Sequence, residues 1–158
     1  MIFLVYRLNE LYSGMNCICA QNGSHSCMMM DVDLLKMEES ESKTFYHSAK
    51  ETALLLLTGK VIIKWLGNSA IMSRTSLFKE NPWCIHFPSG AQIEITALAE
   101  SEFIVQSTDN PSDFEVRLYA PQDCRDEFFG DGEWDGTARR EVRTIFDYKN
   151  APYSNMVI

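Results

Sequence analysis

The tightest group of residues able to do chemistry is Arg139, Arg140 and Arg143. Clustered guanidiniums can grip an anion, because each presents a planar fork of donors that matches a carboxylate. They fall in Arg139–Tyr148, where Val142, Ile145 and Phe146 lie among Arg140, Arg143 and Thr144, a pattern that predicts one strand. Side chains alternate along a strand, so Arg139 and Arg143 share one face and Arg140 takes the other. Glu133, Asp135 and Glu141 stand close by, so ion pairs that merely anchor the segment are the competing reading. The other reactive types are sparse. Cys17, Cys19, Cys27, Cys84 and Cys124 are odd in number and lack a repeated CxxC spacing, which argues against a disulfide framework or a structural zinc site. With no base beside them they read as reduced, small hydrophobes. His86 sits between Ile85 and Phe87 and is expected to point outward from its strand, and His25 lies in the loop Asn22-Gly-Ser-His25-Ser.

These residues need a scaffold, and the scaffold is written in period two. Alternating or short apolar runs predict strands over Asn16–Ala20, Met28–Leu35, Lys43–His47, Thr52–Thr58, Lys60–Leu66, Ser69–Thr75, Trp83–Phe87, Gln92–Leu98, Glu102–Ser107 and Glu115–Tyr119. Turn residues separate them, including Asn22-Gly23, Thr58-Gly59, Pro88-Ser89-Gly90 and Asp109-Asn110-Pro111. Gly67-Asn68 predicts the tight turn of a hairpin joining Val61–Trp65 to Ala70–Met72. Short strands at about ten-residue spacing predict an all-β sandwich or barrel. Helix is confined to Asn9–Tyr12, which is too short, and to a turn or two over Gln122–Phe129. Trp65, Trp83, Phe87 and Phe103 are expected in the core, whereas Trp134, among Glu133, Asp135 and Gly136, suits a cover for a neighbouring barrel or subunit.

The chain has 158 residues, the size of one domain with a real core. A formal charge of −8, with only one basic cluster, argues against a nucleic-acid binder, which needs a basic face. The absence of 18 consecutive apolar residues excludes a membrane helix. The apolar start Met1–Tyr6 is broken by Arg7, Asn9 and Glu10 and lacks the flanks of a signal peptide, so the expected location is the cytoplasm. The chain ends on the apolar run Tyr153–Ile158, which reads as a continuing polypeptide.

Two stretches carry a resemblance. Glu51-Thr-Ala-Leu-Leu-Leu-Leu-Thr-Gly59 and Ile85-His-Phe-Pro88-Ser-Gly90-Ala-Gln-Ile93 resemble the two cupin motifs, which implies a cupin-type double-stranded β-helix, or jelly roll. In metal cupins these motifs supply His-x-His, a Glu and a further His around one divalent ion. Here His47 and Glu51 occupy two of those positions, while Phe45 and Ile93 stand at the other two. Two ligands hold such an ion poorly against water, so no metal site is expected in this chain. More narrowly, Gly130-Asp-Gly-Glu-Trp-Asp-Gly136-Thr-Ala-Arg139 onward to Asn155 resembles the segment joining the two cupin halves of the 5-deoxy-glucuronate isomerase family of inositol catabolism, related to the 4-deoxy-5-ketouronate isomerases. Gly14-Met-Asn, Leu34-Leu35 and Leu54–Gly59 fit its first half.

That resemblance implies residues 1–120 as an N-terminal cupin and 121–158 as a linker plus strand leading toward a second cupin that carries the divalent metal. The implied activity of the whole is aldose–ketose isomerisation of a sugar acid, with this half a scaffold, inactive alone. Arg139, Arg140 and Arg143 become candidates to hold the substrate carboxylate, and no catalytic residue is assigned. A non-catalytic cupin that binds a small ligand or drives assembly is the alternative. A homo-oligomer is expected, most simply a dimer through edge strands or the 139–158 tail.

Overall fold

A computed structural model describes residues 11–23 and 25–158. The apolar start Met1–Tyr6 and the first half of the short helix expected at Asn9–Tyr12 lie outside the described residues. Among those described, β1 (Gly14–Cys19), β2 (Asp31–Met37), β3 (Ser42–Tyr46), β4 (Lys50–Trp65), β5 (Asn68–Arg74), β6 (Cys84–Phe87), β7 (Gln92–Ala97), β8 (Ser101–Asp109) and β9 (Arg117–Tyr119) form one wrapped, wholly antiparallel sheet. One side of the roll runs β1-β2-β8-β4-β6-β9 and the other runs β3-β7-β4-β5. The two sides share β4. This is the all-β barrel that the strand spacing predicts, in the jelly-roll form that the cupin resemblance implies.

The long strand β4 joins two segments that period two reads as separate, Thr52–Thr58 and Lys60–Leu66. Its first part pairs with β8 and β6, and its second with β5 and β7. The crossover is made by a register shift between Leu56 and Thr58 followed by Gly59 at φ +113. A bulge bends a strand and leaves one residue out of the alternation. Only glycine suits the bend: a Cβ there would sit 2.2 Å from Ser101 Oγ and 2.6 Å from the Glu100 carbonyl.

Inward side chains of both sides fill one core, which includes Leu35, Phe45, Leu54, Leu56, Val61, Ile63, Phe87, Ile93, Ile95, Phe103 and Val105. A second cluster lies on the outer face of the β4-β6-β9 side. There Ala53, Cys84 and Tyr119 are covered by Ile145, Phe146, Ala151 and Met156 of the C-terminal tail. The tail closes on itself through Ile158, whose N–H donates to the Phe146 carbonyl and whose own carbonyl accepts from Ile145 and Phe146.

Four local expectations are corrected. The strand expected from Met28 begins at Asp31, because Ser26–Met28 forms a 3-10 turn and Met29 adopts φ 58 while its carbonyl accepts the Thr108 hydroxyl. The β4–β5 turn is Leu66-Gly67, not Gly67-Asn68, since Asn68 already pairs with Trp65. The strand expected over Glu115–Tyr119 is the shorter β9. The helical turns expected over Gln122–Phe129 shrink to a 3-10 turn at Pro121–Asp123, followed by β10 (Arg125–Phe129). This strand exists because β11 (Arg140–Thr144) pairs with it, placing Asp126 opposite Arg143 and Phe128 opposite Glu141. The resulting arm exposes Phe128, Phe129 and Val142, with Trp134 exposed beyond its tip.

Candidate functional site

The bulge in β4 decides which side chains reach which face. Before it, Thr52, Leu54 and Leu56 point into the barrel; after it, the inward set is Val61, Ile63 and Trp65. Glu51 therefore faces outward with Ala53, away from the interior positions that the cupin motif would fill with ligands. Inside, Thr52 and Ser107 share a buried hydroxyl–hydroxyl hydrogen bond of 2.9 Å.

On the outer face Glu51 meets His86, which lies opposite Ala53 in the β4–β6 ladder. His86 does point away from the barrel, as alternation predicts, yet it is fully buried, as is Glu51. His86 Nε2 donates to Glu51 Oε2 at 2.9 Å, and the Asn155 N–H donates to Oε1 at 2.7 Å. Burial works to raise the Glu51 carboxyl, but hydrogen bonds from His86, Asn155 and Asn110 prevail and hold it below its ordinary value. The imidazole stacks on Phe146 with centroids 4.4 Å apart and also contacts Phe114 at 4.6 Å. Its Nδ1 is buried without a hydrogen-bond partner. The pair ties the tail to the sheet.

His47 sits elsewhere, half-buried and within electrostatic reach of Asp31 and Asp33. Burial and the adjacent Asp31 push the Asp33 carboxyl up, with His47 opposing them. Phe45 and Ile93 are direct cross-strand partners, buried in the core. A divalent ion in this barrel would need three or four N, O or S donors converging on one point. Among the described residues no group of three or more His, Cys, Asp or Glu is placed to hold one. The interior donor positions hold hydrocarbon and Glu51 turns its oxygens to the tail, so the residues do not fit a metal.

The arginines are spread along the arm rather than gathered. Arg143 commits all five N–H groups: to Glu141 from Nε and Nη2, to the Leu77 and Glu80 carbonyls from Nη1, and to the Phe78 carbonyl from Nη2. Arg74, buried at the end of β5, donates to the Leu77 and Glu80 carbonyls as well. The 77–80 loop is thus clasped by two guanidiniums, and burial lowers the Arg74 pKa with Arg143 adding to the effect. Arg139 lies over the Phe128 ring at 5.1 Å and 3.9 Å from Asp131, and Arg140 is exposed on the opposite face of β11. Sequence reasoning misses the Glu51–His86 pair because its members are 35 residues apart. The available signal was His86 set in the apolar run Ile85-His86-Phe87; Glu51, between Lys50 and Thr52, carries none.

A family model described as the KduI/IolB family matches residues 4–158. The chain belongs to this family, that of the 5-deoxy-glucuronate and 4-deoxy-5-ketouronate isomerases. Among solved structures, an IolB-like protein from Salmonella typhimurium superposes with a TM-score of 0.77 at 24% identity, over 89% of this chain and 52% of that one. A putative glyoxylate-induced protein from Pseudomonas aeruginosa aligns at 0.63 and 14% identity, over 86% of this chain and 50% of that one. Ylba from E. coli aligns at 0.55 and 12%, over 74% and 50%. The KduI/IolB chain described here therefore spans about half the length of each of these proteins. At these identities they speak to the fold, a cupin jelly roll. No curated protein matches the sequence.

Proposed function

We propose that the chain acts as the N-terminal cupin of a sugar-acid aldose–ketose isomerase of the 5-deoxy-glucuronate type, a scaffold that needs a second cupin for catalysis. The observation that carries this reading is the hydrocarbon at Phe45 and Ile93, inside a KduI/IolB barrel that spans 52% of the IolB-like protein. Aldose–ketose isomerisation moves a proton between neighbouring carbons and needs a base and an electrophile for the developing enediolate. A divalent metal held by the second cupin would supply that electrophile. This chain contributes binding and positioning. Arg140, exposed on β11, is assigned to the substrate carboxylate, with Arg139 stacked on Phe128 and Arg143 holding β11 against the 77–80 loop so that Arg140 is kept in place. The Glu51–His86 pair fixes the tail that leads toward the second cupin.

No disulfide joins any of the five cysteines, which supports a reducing, cytoplasmic setting. The exposed aromatics of the arm support a dimer or a docked second barrel. The test is turnover of 5-deoxy-glucuronate by the purified chain with Mn, Fe or Zn ions. Negligible turnover alone, restored by a polypeptide carrying the second cupin, is expected. Robust metal-dependent turnover by this chain alone would overturn the scaffold reading.

A further inference from the structure

Phe45 on β3, Ile93 on β7 and Trp65 on β4 stand side by side across the sheet as successive cross-strand partners. The first two are sealed in the core, but Trp65 reaches the rim, where it packs on the core and lines an open cleft of about 580 Å³. That volume suits a small molecule. Its walls are the β4–β5 hairpin tip, the 88–91 loop and the 113–116 segment.

Three features of the cleft bear on what it would bind. Trp65 supplies an indole, a surface on which the C–H face of a ring can stack. Leu66 at the lip is 76% exposed and holds φ +46, a left-handed conformation that branched apolar residues avoid. Positive φ at both Leu66 and Gly67 is what the two-residue β4–β5 turn requires, and it leaves an apolar side chain at the cleft edge. Among the described residues the charged lining is Asp113 and Glu115, both exposed, accompanied by Asn68 and Ser89. Carboxylates accept hydrogen bonds from hydroxyl groups and repel anions.

We infer that this cleft binds a neutral, hydroxyl-rich ring, a pyranose, stacked on Trp65 and hydrogen-bonded by Asp113, Glu115 and Asn68, and that it rejects sugar acids. The site is separate from the arginine arm, since Arg143 lines a different groove with Leu77 and Phe78. It stands whether or not the isomerase reading holds.

The test is an NMR titration of the full chain, reading the Trp65 indole N–H and the backbone amides of Asn68 and Ser89. Methyl β-D-glucopyranoside should give saturable shifts there in the millimolar range expected of an open, shallow site. D-glucuronate should bind about fivefold more weakly, and the gap should close in the double variant Asp113→Asn/Glu115→Gln. Trp65→Phe, which keeps a ring on the core, should weaken the pyranoside about threefold; Trp65→Ala is avoided because it would open the core. Shifts that never saturate, shifts away from the cleft, glucuronate binding as tightly as the neutral sugar, or a gap that survives in the double variant would each overturn the inference.

Discussion

The two faces of β4 put neighbouring residues into opposite chemistry. Thr52, Leu54 and Leu56 face a barrel interior of hydrocarbon relieved by one pair of hydroxyls, whereas Glu51, one residue away, is buried as a carboxylate against an imidazole beneath the tail. The interior gains stability from area removed from water, which is non-directional and tolerant of exchange. The outer face depends on a few directed bonds, which fail together when one partner is lost. The interior is therefore held by hydrocarbon at Phe45 and Ile93, while Glu51, at the motif position, holds the tail.

The comparison breaks most severely at the bend that creates it. Gly59→Ala must push a Cβ into Ser101 and Glu100, and a loss of about 4 kcal/mol or more is expected in urea unfolding. A loss under about 1 kcal/mol would mean that the bend is not needed to set the two faces. Next comes Glu51→Ala. It strands a buried imidazole and the Asn155 N–H, so about 3 kcal/mol should disappear, with the tail becoming protease-sensitive before the barrel unfolds. Simultaneous loss of both in limited proteolysis would show that the tail is not a separable unit.

Acid should loosen the same contact selectively. The folded Glu51 pKa lies below its ordinary value near 4.5, so its contribution is complete above that value and is lost as pH falls through the folded one. Asp147 adds in the same direction: burial acts to raise it, but hydrogen bonds from the Lys149 N–H and Arg125 outweigh that and hold it low. Hydrogen-exchange protection at Ile145, Phe146 and Asn155 should therefore fall on acidification before that of Leu54. In Glu51→Gln the acid step should shrink to the share of Asp147; an unchanged step would assign the effect elsewhere. The smallest effect belongs to the interior. Thr52→Val with Ser107→Ala removes both partners of the hydroxyl pair and should change stability by less than about 1 kcal/mol. A larger loss would mean that the interior also relies on directed bonds.

Much of this was legible in the residues. Alternation located the strands, turn residues marked most of their ends, and the family resemblance anticipated the jelly roll and the KduI/IolB family. The facing of Glu51 was not legible, because Ala53-Leu54-Leu55-Leu56-Leu57 is uniformly apolar and offers no alternation from which to read a face. A one-residue bulge inside such a run leaves no trace in composition, yet it reverses every side chain before it. Strand β10 was hidden for a related reason: Phe128 and Phe129 are adjacent, and only pairing with β11 assigns them to opposite faces.

The sequence by itself determined that the chain is β-structured, that its turns fall near glycine, proline and asparagine, and that imidazoles are missing from two motif positions. These are properties of single residues and of their spacing. The tertiary structure alone decided that Glu51 and His86 meet, that a tail a hundred residues downstream seals them from water, and that Arg143 is committed to a loop. Each of these depends on distant segments brought together around a bend, and contacts of that kind belong to the fold rather than to any local stretch of the chain.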